Sequence, residues 1–377
     1  MNEIAIIGGG VGGLTLARIL QVNGIAATLY ERDSSLDSLH LGGQLDLRER
    51  DGQFALRAAG LIDEFRARAR PEGDAVRLYD KHGTCTLDDP ADEETGGHPE
   101  ISRVALREML VESLDQARIV WDRKAIGVRV GDGRPEVLFA DGSSVTADLV
   151  VGADGAWSAV RPALSSAQPQ YTGIANIDLV IHDAVAKHPE SVEFVGAGTM
   201  CCFADGQGVI TQLNGDGTIR VYVSIREDSR WLDELATQDI EQVKARLRDR
   251  FADWAPQVLR LFAEASGDLL CRPIFALPVD HEWERVPGVT LLGDAAHLMS
   301  PFAGHGANLA LLDAAELAAS ITEHPGDLER ALNGYESALF PRSAEHAAET
   351  AANLDLFHGP DAAAGLVGMF TDMRATA

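Results

Sequence analysis

This chain carries little positive charge and no long apolar run, and each absence excludes a class of partner. Lys and Arg supply 32 of its 377 residues and Asp and Glu supply 58, so the formal net charge is −26. A surface this acidic repels phosphate backbones and anionic lipid headgroups, and we expect neither nucleic acid nor membrane as a partner. No apolar stretch approaches the ~20 residues that span a bilayer. The first residues also lack the basic cluster that opens a secretion signal. The composition predicts a cytoplasmic protein, which we expect to be a monomer.

Cysteine is scarce and unpatterned as well. The four cysteines show no C-x-x-C spacing, and the adjacent pair Cys201 and Cys202 would point to opposite faces of a strand. This usage favours buried, reduced thiols over a metal site or a disulfide framework. No H-E-x-x-H or Cys–His constellation occurs either, so the sequence predicts no metal and no catalytic nucleophile.

The order of apolar runs and helical patterns predicts an α/β fold. Short strands alternate with helices over the first half, which is typical of a parallel sheet. One helical run is expected over about 49–70 and one strand over 145–151. Alternating strands follow after about 165 and predict an antiparallel sheet with helices on one face. We therefore predict a Rossmann-like nucleotide-binding domain over 1–165 and 285–350, an inserted substrate domain over 166–284, and a C-terminal bridging helical segment over 351–377.

A glycine-rich turn follows the first predicted strand. Gly8-Gly9-Gly10-Val11-Gly12-Gly13 satisfies G-x-G-x-x-G between a strand and a helix. Gly8 permits the tight turn, Gly10 lets the backbone approach a pyrophosphate, and Gly13 lets helix and strand pack closely. Glu31 ends the second strand and would accept hydrogen bonds from both hydroxyls of an unphosphorylated ribose. The alternative is a glycine-rich turn without a ligand, but the position between strand and helix favours a dinucleotide such as FAD or NAD.

Two later motifs indicate which dinucleotide is bound. Gly152-Ala153-Asp154-Gly155 follows a buried strand, and Gly293-Asp294 precedes the stretch Pro301-Phe302-Ala303-Gly304-His305-Gly306-Ala307-Asn308. Together with the glycine loop, these motifs make the sequence resemble the class A flavoprotein hydroxylases. The resemblance implies that Asp294 accepts hydrogen bonds from the ribityl hydroxyls of FAD. It also implies that the 304–308 turn begins a helix whose dipole faces the flavin ring. Taken alone, Asp294 would fit a helix N-cap equally well.

The remaining polar residues of these motifs are expected to be structural. Asp154 and Arg161 would organise the loop beside the pyrophosphate and the approach of the pyridine nucleotide. His297 and His305 are expected to be packed histidines and not acid–base groups.

Within the class A hydroxylases, the sequence resembles the flavin-dependent tetracycline monooxygenases. This resemblance covers essentially the whole chain. The stretches that carry it include Tyr30-Glu31-Arg32-Asp33, Gly42-Gly43-Gln44-Leu45-Asp46-Leu47 and Pro99-Glu100-Ile101-Ser102-Arg103. Arg103 would start a helix and face the ribityl chain or the ring edge, although a surface salt bridge explains it equally well. By this resemblance the residues that contact FAD are Gly8, Gly10, Gly13, Glu31, Arg32, Asp46, Arg103, Asp294, Pro301, Gly304, Gly306, Ala307 and Asn308.

The residues that would recognise the substrate depart from this family. Where the relatives hold tetracycline with glutamine, arginine and histidine, the aligned residues here are Asp178, Thr199 and Arg220. Leu39 replaces an arginine thought to assist the approach of NADPH. We expect Asp178 and Arg220 to bind the substrate. A wall beside the flavin ring is expected from Pro301, Phe302 and Gly304.

The resemblance implies a monooxygenase with FAD as cofactor and NADPH or NADH as a transient reductant. In such enzymes O2 adds to the reduced flavin, and the resulting C4a-hydroperoxide hydroxylates an electron-rich carbon. A tetracycline-like polycyclic aromatic molecule is the expected substrate. Two alternatives stay open: a biosynthetic hydroxylase of another phenol or aromatic polyketide, and a non-catalytic FAD-binding sensor.

Overall fold

The computed structural model describes residues 3–36, 43–91, 98–131, 133–267 and 269–376, so Leu39 and Gly42 lie outside the described residues. The strands are β1 (Ile4–Ile7), β2 (Ala27–Tyr30), β3 (Gln44–Asp46), β4 (Val76–Tyr79), β5 (Cys85–Asp89), β6 (Glu100–Ser102), β7 (Ile119–Val120), β8 (Ala125–Arg129), β9 (Glu136–Phe139), β10 (Ser144–Thr146), β11 (Leu149–Gly152), β12 (Gln170–Ile181), β13 (Thr199–Ala204), β14 (Gln207–Leu213), β15 (Ile219–Arg226), β16 (Leu270–Ala276) and β17 (Val289–Leu291). The helices are α1 (Val11–Val22), α2 (Gly52–Ala58), α3 (Ile62–Arg68), α4 (Arg103–Glu112), α5 (Ala184–Lys187), α6 (Pro189–Val195), α7 (Ser229–Ala236), α8 (Ile240–Arg250), α9 (Pro256–Glu264), α10 (Asp294–His297), α11 (His305–Glu323), α12 (Leu328–Phe357) and α13 (Ala362–Thr376).

The chain divides into two compact units whose boundaries differ from the predicted ones. Unit 1 contains Met1–Ala69, Ile101–Gln170 and Phe275–Ala351, and unit 2 contains Arg70–Glu100, Tyr171–Ile274 and Ala352–Ala377. Arg70–Glu100 was expected in the nucleotide-binding domain. It belongs to unit 2 because β4 pairs in parallel with β13, with Val76 opposite Thr199. The C-terminal segment also belongs to unit 2, since α13 packs on β13 and β4.

Unit 1 is built on a parallel sheet with the strand order β17-β11-β1-β2-β7. All four residues of β1 and all four of β11 are buried, which matches their uninterrupted apolar sequences. Helix α1 packs against α11 on this sheet. This arrangement of a parallel sheet with packed helices confirms the predicted α/β class.

Two predicted elements of unit 1 are each divided in two. The expected strand over 145–151 is split because β10 pairs antiparallel with β9, whereas β11 joins the parallel sheet beside β1. The expected helix over 49–70 is split into α2 and α3. Gly60, at φ +69°, adopts the left-handed conformation between them, which terminates a helix readily.

Unit 2 contains a sheet with the strand order β16-β12-β15-β14-β13-β4-β5. Its neighbouring pairs β12–β15, β15–β14 and β14–β13 are antiparallel, while β13 and β4 are parallel. Alternate residues such as Ile177, Leu179, Val221 and Val223 pack with apolar residues of α8 and α9 in one core. The other face of these strands therefore carries the intervening, more polar positions.

Within the described ranges, no helix combines the length and the apolar character needed to cross a bilayer.

Candidate functional site

The three glycine-containing motifs of unit 1 meet at one edge of the parallel sheet. Ile7, Gly152 and Leu291 occupy matching positions at the carboxyl ends of β1, β11 and β17. The glycine loop, the Asp154 loop and the Asp294 motif each follow one of these strands. Ligands of open parallel sheets bind outside the carboxyl ends of the strands. The sheet topology therefore brings together motifs that lie up to about 280 residues apart along the chain.

The glycine loop leaves no room for side chains at two of its three signature positions. A Cβ at Gly13 would lie 2.1 Å from the Gly8 carbonyl oxygen, and a Cβ at Gly8 would lie 2.4 Å from that of Ala153. A Cβ at Gly10 would meet no atom within 4 Å. The loop is thus closely packed beneath Gly8 and Gly13 and open at Gly10. This shape fits a pyrophosphate lying against the backbone at the start of α1.

Glu31 is held at the end of β2 by the same loop. It is 5% exposed, and its two carboxylate oxygens accept hydrogen bonds from the backbone N–H groups of Gly9 (2.5 Å) and Asp33 (2.9 Å). Arg107 of α4 donates from Nε to the Gly9 carbonyl (2.8 Å), and its Nη2 lies 3.7 Å from the Glu31 carboxylate. Burial lowers the pKa of Arg107, and the charges of Glu31 and Asp33 oppose this shift. The Nη1 atom of Arg107 is buried and has no hydrogen-bond partner among the described residues, so it can serve a bound group.

Arg161 joins the Asp154 loop to the Asp294 motif. It is 2% exposed, and its guanidinium donates to the carbonyls of Ala295 (3.0 Å) and Ala156 (2.6 Å). Asp154 accepts a hydrogen bond from the Ala159 N–H (2.7 Å), and burial raises the pKa of Asp154. Both side chains thus bond to backbone, which is the structural role expected of them.

Asp294 begins α10, separated by two residues from the end of the buried strand β17. Its side chain is exposed, whereas Gly293, Ala295 and Ala296 around it are buried. Crowding by protein raises its pKa, and the nearby charges of His297, Arg103 and Arg161 oppose this shift. The N-cap of this helix is Gly293, and Asp294 is the first helical residue, so Asp294 does not have the N-cap role that it would fit if taken alone. An accessible carboxylate at this edge fits the hydroxyl groups of a ribityl chain.

A buried ion cluster supports the Asp294 motif from the opposite side. Asp313 of α11 is fully buried and accepts from His297 (2.6 Å), Arg342 (2.8 Å) and the Gly293 N–H (2.8 Å). Burial alone would lower the pKa of His297, but the Asp313 carboxylate outweighs it and raises that pKa. His297 is therefore a packed, ion-paired histidine, as its sequence context suggested.

The Gly304 loop is held against the segment that follows β3. The Asn308 side chain donates to the Asp46 carbonyl (2.8 Å) and accepts from the Arg48 N–H (3.0 Å). A Cβ at Gly304, whose φ is +67°, would lie 3.3 Å from the Asp46 carboxylate. Asp46, Gly304 and Asn308, three of the predicted flavin contacts, therefore lie together. Helix α11 begins one residue after Gly304, which orients its N-terminus at this loop.

The other predicted flavin residues are placed less tightly. Arg103 is exposed and begins α4, as predicted, and its charge acts on Asp294. Arg32 is exposed and pairs only loosely with Asp33 at 3.9 Å. Pro301 is exposed and Phe302 is buried. Gly306 and Ala307 lie in the first turn of α11.

The predicted substrate residues lie on one face of the unit 2 sheet. Arg220 of β15 stands opposite Gln212, which stands opposite Thr199. Asp178 is two residues from Val180, the β12 residue opposite Arg220. Asp178 is 5% exposed and bonds to Arg272 through one oxygen, and its other oxygen has no partner among the described residues. Directly opposite residues of an antiparallel pair point to the same face, so these side chains form a polar row.

Residue-by-residue reading of the sequence missed Arg48 and Asp313. Arg48 donates to the Ala303 carbonyl (2.6 Å) and to the ring of His305 (2.8 Å). Arg48 contacts Ala303, 255 residues away along the chain, and Asp313 contacts Gly293, 20 residues away. Arg48 does follow the Leu45-Asp46-Leu47 stretch, and this was the available signal.

Comparisons with known proteins agree with this geometry. The profile of a family described as FAD binding domain matches residues 1–342. The chain is 31% identical to monooxygenase penA of Penicillium thymicola, over 90% of this chain and 92% of that protein. HpxO of Klebsiella pneumoniae, crystallised with FAD and uric acid, shows a TM-score of 0.81 at 23% identity, covering 96% of this chain and 90% of that chain. The tetracycline destructase Tet(51) shows a TM-score of 0.68 at 21% identity, covering 95% and 92% respectively.

The profile match over most of the chain decides the class. This protein belongs to the FAD binding domain family and is a class A flavin monooxygenase of the aromatic-hydroxylase type, with FAD as its cofactor. HpxO and Tet(51) share the fold, and at these identities their likeness extends no further than the fold.

Proposed function

We propose that this enzyme takes electrons from NADPH or NADH and inserts one oxygen atom of O2 into a tetracycline-like polycyclic aromatic substrate. The observation that carries the monooxygenase part is the meeting of the three motifs at one sheet edge, with the Gly304 loop held beside Asp46. The polar face of the unit 2 sheet supports the substrate part.

The residues that would hold FAD follow from the site geometry and the sequence resemblance. The open backbone at Gly10 would take the pyrophosphate, and Glu31 the adenosine ribose. Asp294 would accept from the ribityl hydroxyls, and the N-terminus of α11 would lie against the ring. When bound, FAD supplies the redox and oxygen-activating chemistry, and the protein's task is to bind, orient and keep water out.

The polar row on unit 2 carries both an acceptor and a donor for a substrate. The free oxygen of Asp178 can accept from an N–H or O–H group, although its Arg272 partner already neutralises much of its charge. Arg220 forms no ion pair with any residue in the described ranges, so its guanidinium can donate to a phenolic or enolic oxygen. Tetracycline-like molecules offer amide N–H groups and enolic oxygens, and this complementarity supports the proposed class.

A second candidate is a biosynthetic hydroxylase that acts on another phenol or aromatic polyketide. Asp178, Thr199 and Arg220 favour it, because they differ from the side chains with which tetracycline-binding relatives are aligned. The pair of buried Asp178 with exposed Arg272 is a further departure, since it places an acid where the aligned relatives have glutamine.

A product mass spectrum separates the two candidates. Purified enzyme, FAD, NADPH and air are incubated with tetracycline and, in parallel, with simple phenols and aromatic polyketides. A tetracycline product heavier by one oxygen atom, absent without NADPH, is the expected result. Unchanged tetracycline beside an oxygenated phenol or polyketide would select the second candidate. NADPH that fails to reduce the flavin under any condition would contradict the monooxygenase proposal itself.

Arg220→Ala tests the substrate face directly. Loss of a charge-assisted hydrogen bond costs about 1.5–3 kcal/mol, so we expect KM for the oxygenated substrate to rise roughly tenfold or more. Arg226→Ala is the matched control, because Arg226 ends the same strand, is exposed and pairs with Asp355. Equal KM and kcat in Arg220→Ala and the control would remove Arg220 from the substrate site.

A further inference from the structure

Arg48 lies at the point where the loop before α11 meets the segment after β3. Its Nη2 donates to the Ala303 carbonyl (2.6 Å), and a Cβ at Gly304 would lie 3.5 Å from the same nitrogen. Its Nη1 lies 2.8 Å from Nδ1 of His305. Its Nε is buried without a hydrogen-bond partner, 3.7 Å from the Asp46 carboxylate. The guanidinium therefore touches the backbone on which the flavin ring would rest.

The contact with Arg48 decides the protonation state of His305. A guanidinium can only donate, so Nδ1 of His305 must accept and the ring must be neutral with its proton on Nε2. That Nε2 donates to the Glu349 carboxylate of α12 (2.9 Å). His346 lies beside both, with its ring centroid 4.1 Å from that of His305 and its Nδ1 3.6 Å from Glu349. The His305 ring is 4% exposed, whereas the Glu349 side chain that accepts from it is half exposed.

The same geometry argues against a metal ion at His305, His346 and Glu349, although their ligand atoms lie within 4.8 Å of one another. A metal on Nε2 of His305 would move the proton to Nδ1. That proton would then face the donor Nη1 of Arg48, and the hydrogen bond would become a repulsive contact.

We propose that Arg48 is a positioning residue of the flavin site, held by neutral His305 so that its charge stands at the Ala303–Gly304 backbone. This inference rests on the proposed role of the Gly304 loop beside the ring. A fixed positive charge there favours the reduced, more electron-rich flavin over the oxidised form. Glu349 keeps His305 in the required tautomer, and Asp46 faces Arg48 from the other side.

The arrangement makes FAD affinity depend on pH. Burial lowers the pKa of His305, and the charge of Arg48 lowers it further, while Glu349 opposes the shift. His305 is therefore neutral at pH values in and above the ordinary histidine range. It gains a proton only when the pH falls through its lowered pKa. Protonation turns Nδ1 into a donor, and the Arg48 contact is lost. FAD affinity should therefore stay the same from pH 8 through the ordinary histidine range and fall only at lower pH.

The test compares FAD dissociation constants and flavin midpoint potentials of wild type, Arg48→Met, His305→Phe and Glu349→Gln. At pH 8, Arg48→Met should bind oxidised FAD about tenfold more weakly, the effect of one hydrogen bond to a charged group. Its affinity for reduced FAD should fall by a further tenfold. For a two-electron couple, this corresponds to a flavin midpoint potential about 30 mV lower. His305→Phe should bind FAD weakly over the whole pH range and lose the pH dependence. Glu349→Gln should stay within about twofold of wild type at pH 8, because glutamine still accepts from Nε2.

Arg57→Met is the control, since Arg57 lies on α2 and, among the described residues, its guanidinium hydrogen-bonds to Glu49. Arg48→Met with the FAD affinity and potential of Arg57→Met would overturn the inference. A tenfold loss in Glu349→Gln at pH 8 would also overturn it, by showing that His305 is a charged partner of Glu349. Zn²⁺ that raises the Tm of wild type but not of His305→Phe would assign the cluster to a metal instead. Failure of wild type to bind FAD would contradict the family function, which is a separate result.

Discussion

At the scale of single residues, the flavin-side edge of unit 1 depends on charges whose partners are distant in sequence. Asp294 is accessible and has a raised pKa, while Asp313 beneath it is fully buried among His297 and Arg342. Asp294 is accessible to a ligand, whereas the Asp313 carboxylate is already bonded to His297, Arg342 and the Gly293 N–H. Two aspartates 19 positions apart along the chain thus serve different purposes because their surroundings differ.

Replacing Asp294 separates ligand binding from folding. We expect Asp294→Ala to weaken FAD retention by about tenfold to a hundredfold, as loss of one charge-assisted hydrogen bond costs about 1.5–3 kcal/mol. The Tm of the apoprotein should change little, because the side chain is exposed. Flavin absorbance after gel filtration measures retention, and exposed Asp280→Ala is the control. A variant as yellow as wild type would show that Asp294 has no role in holding FAD.

At the scale of elements, the strand–loop–helix unit β1–α1 uses its glycines for two different reasons. Gly13 is required by protein packing, since a Cβ would lie 2.1 Å from the Gly8 carbonyl oxygen. Gly10 faces open space and has a φ of −73°, which any residue adopts. The structure therefore distinguishes a glycine needed for the fold from one that only a ligand would need.

A pair of alanine variants tests this distinction. Gly13→Ala should lower the stability of the apoprotein, because overpacking of this kind costs about 1–3 kcal/mol. Gly10→Ala should leave apoprotein stability within about 0.5 kcal/mol but weaken FAD binding, since its methyl group would occupy the pyrophosphate side. Urea unfolding and FAD titration measure the two effects. Gly10→Ala with wild-type FAD affinity would place the pyrophosphate elsewhere.

The end of α12 fixes the unit 2 sheet through a histidine. His358 is 5% exposed, donates from Nδ1 to the Leu354 carbonyl (2.9 Å) and accepts at Nε2 from Ser224 of β15 (2.7 Å). Burial lowers the pKa of His358 to about 4. A depressed pKa means that this contribution to stability is present above the ordinary value near 6.5 and is lost as pH falls through about 4.

The free energy of unfolding of His358→Gln should depend less on pH below pH 7 than that of wild type. In wild type, protonation of His358 should remove roughly 3 kcal/mol of unfolding free energy, because its pKa is lowered by about 2.5 units on folding. Between pH 7 and pH 5, wild type should therefore lose more unfolding free energy than His358→Gln. Urea unfolding at both pH values measures the difference, with exposed His98→Asn as the control. Parallel losses in wild type and His358→Gln would rule out His358 as the titrating group.

At the scale of the whole molecule, the dinucleotide motifs lie in unit 1 and the polar sheet face lies in unit 2. Each unit has its own apolar core. Addition of FAD to the apoprotein should therefore slow amide exchange most strongly in the segments Ile4–Leu14 and Gly293–Asn308, because a ligand that binds only the folded state suppresses opening there. Hydrogen exchange with mass spectrometry measures this. Protection confined to β12–β15 would contradict the placement of FAD in unit 1.

The sequence by itself determined the dinucleotide motif and the α/β order of elements, because short-range turn chemistry and hydrophobic periodicity are written in consecutive residues. The resemblance of its three motifs to the class A flavoprotein hydroxylases implied FAD. The start of α4 at Arg103 was predicted as well. Only the tertiary structure decided that Arg70–Glu100 joins unit 2, that Asp178 pairs with Arg272, and that Arg48 meets His305. These contacts join residues about 90 to 260 positions apart, and strand pairing and side-chain geometry, which local patterns do not encode, bring them together.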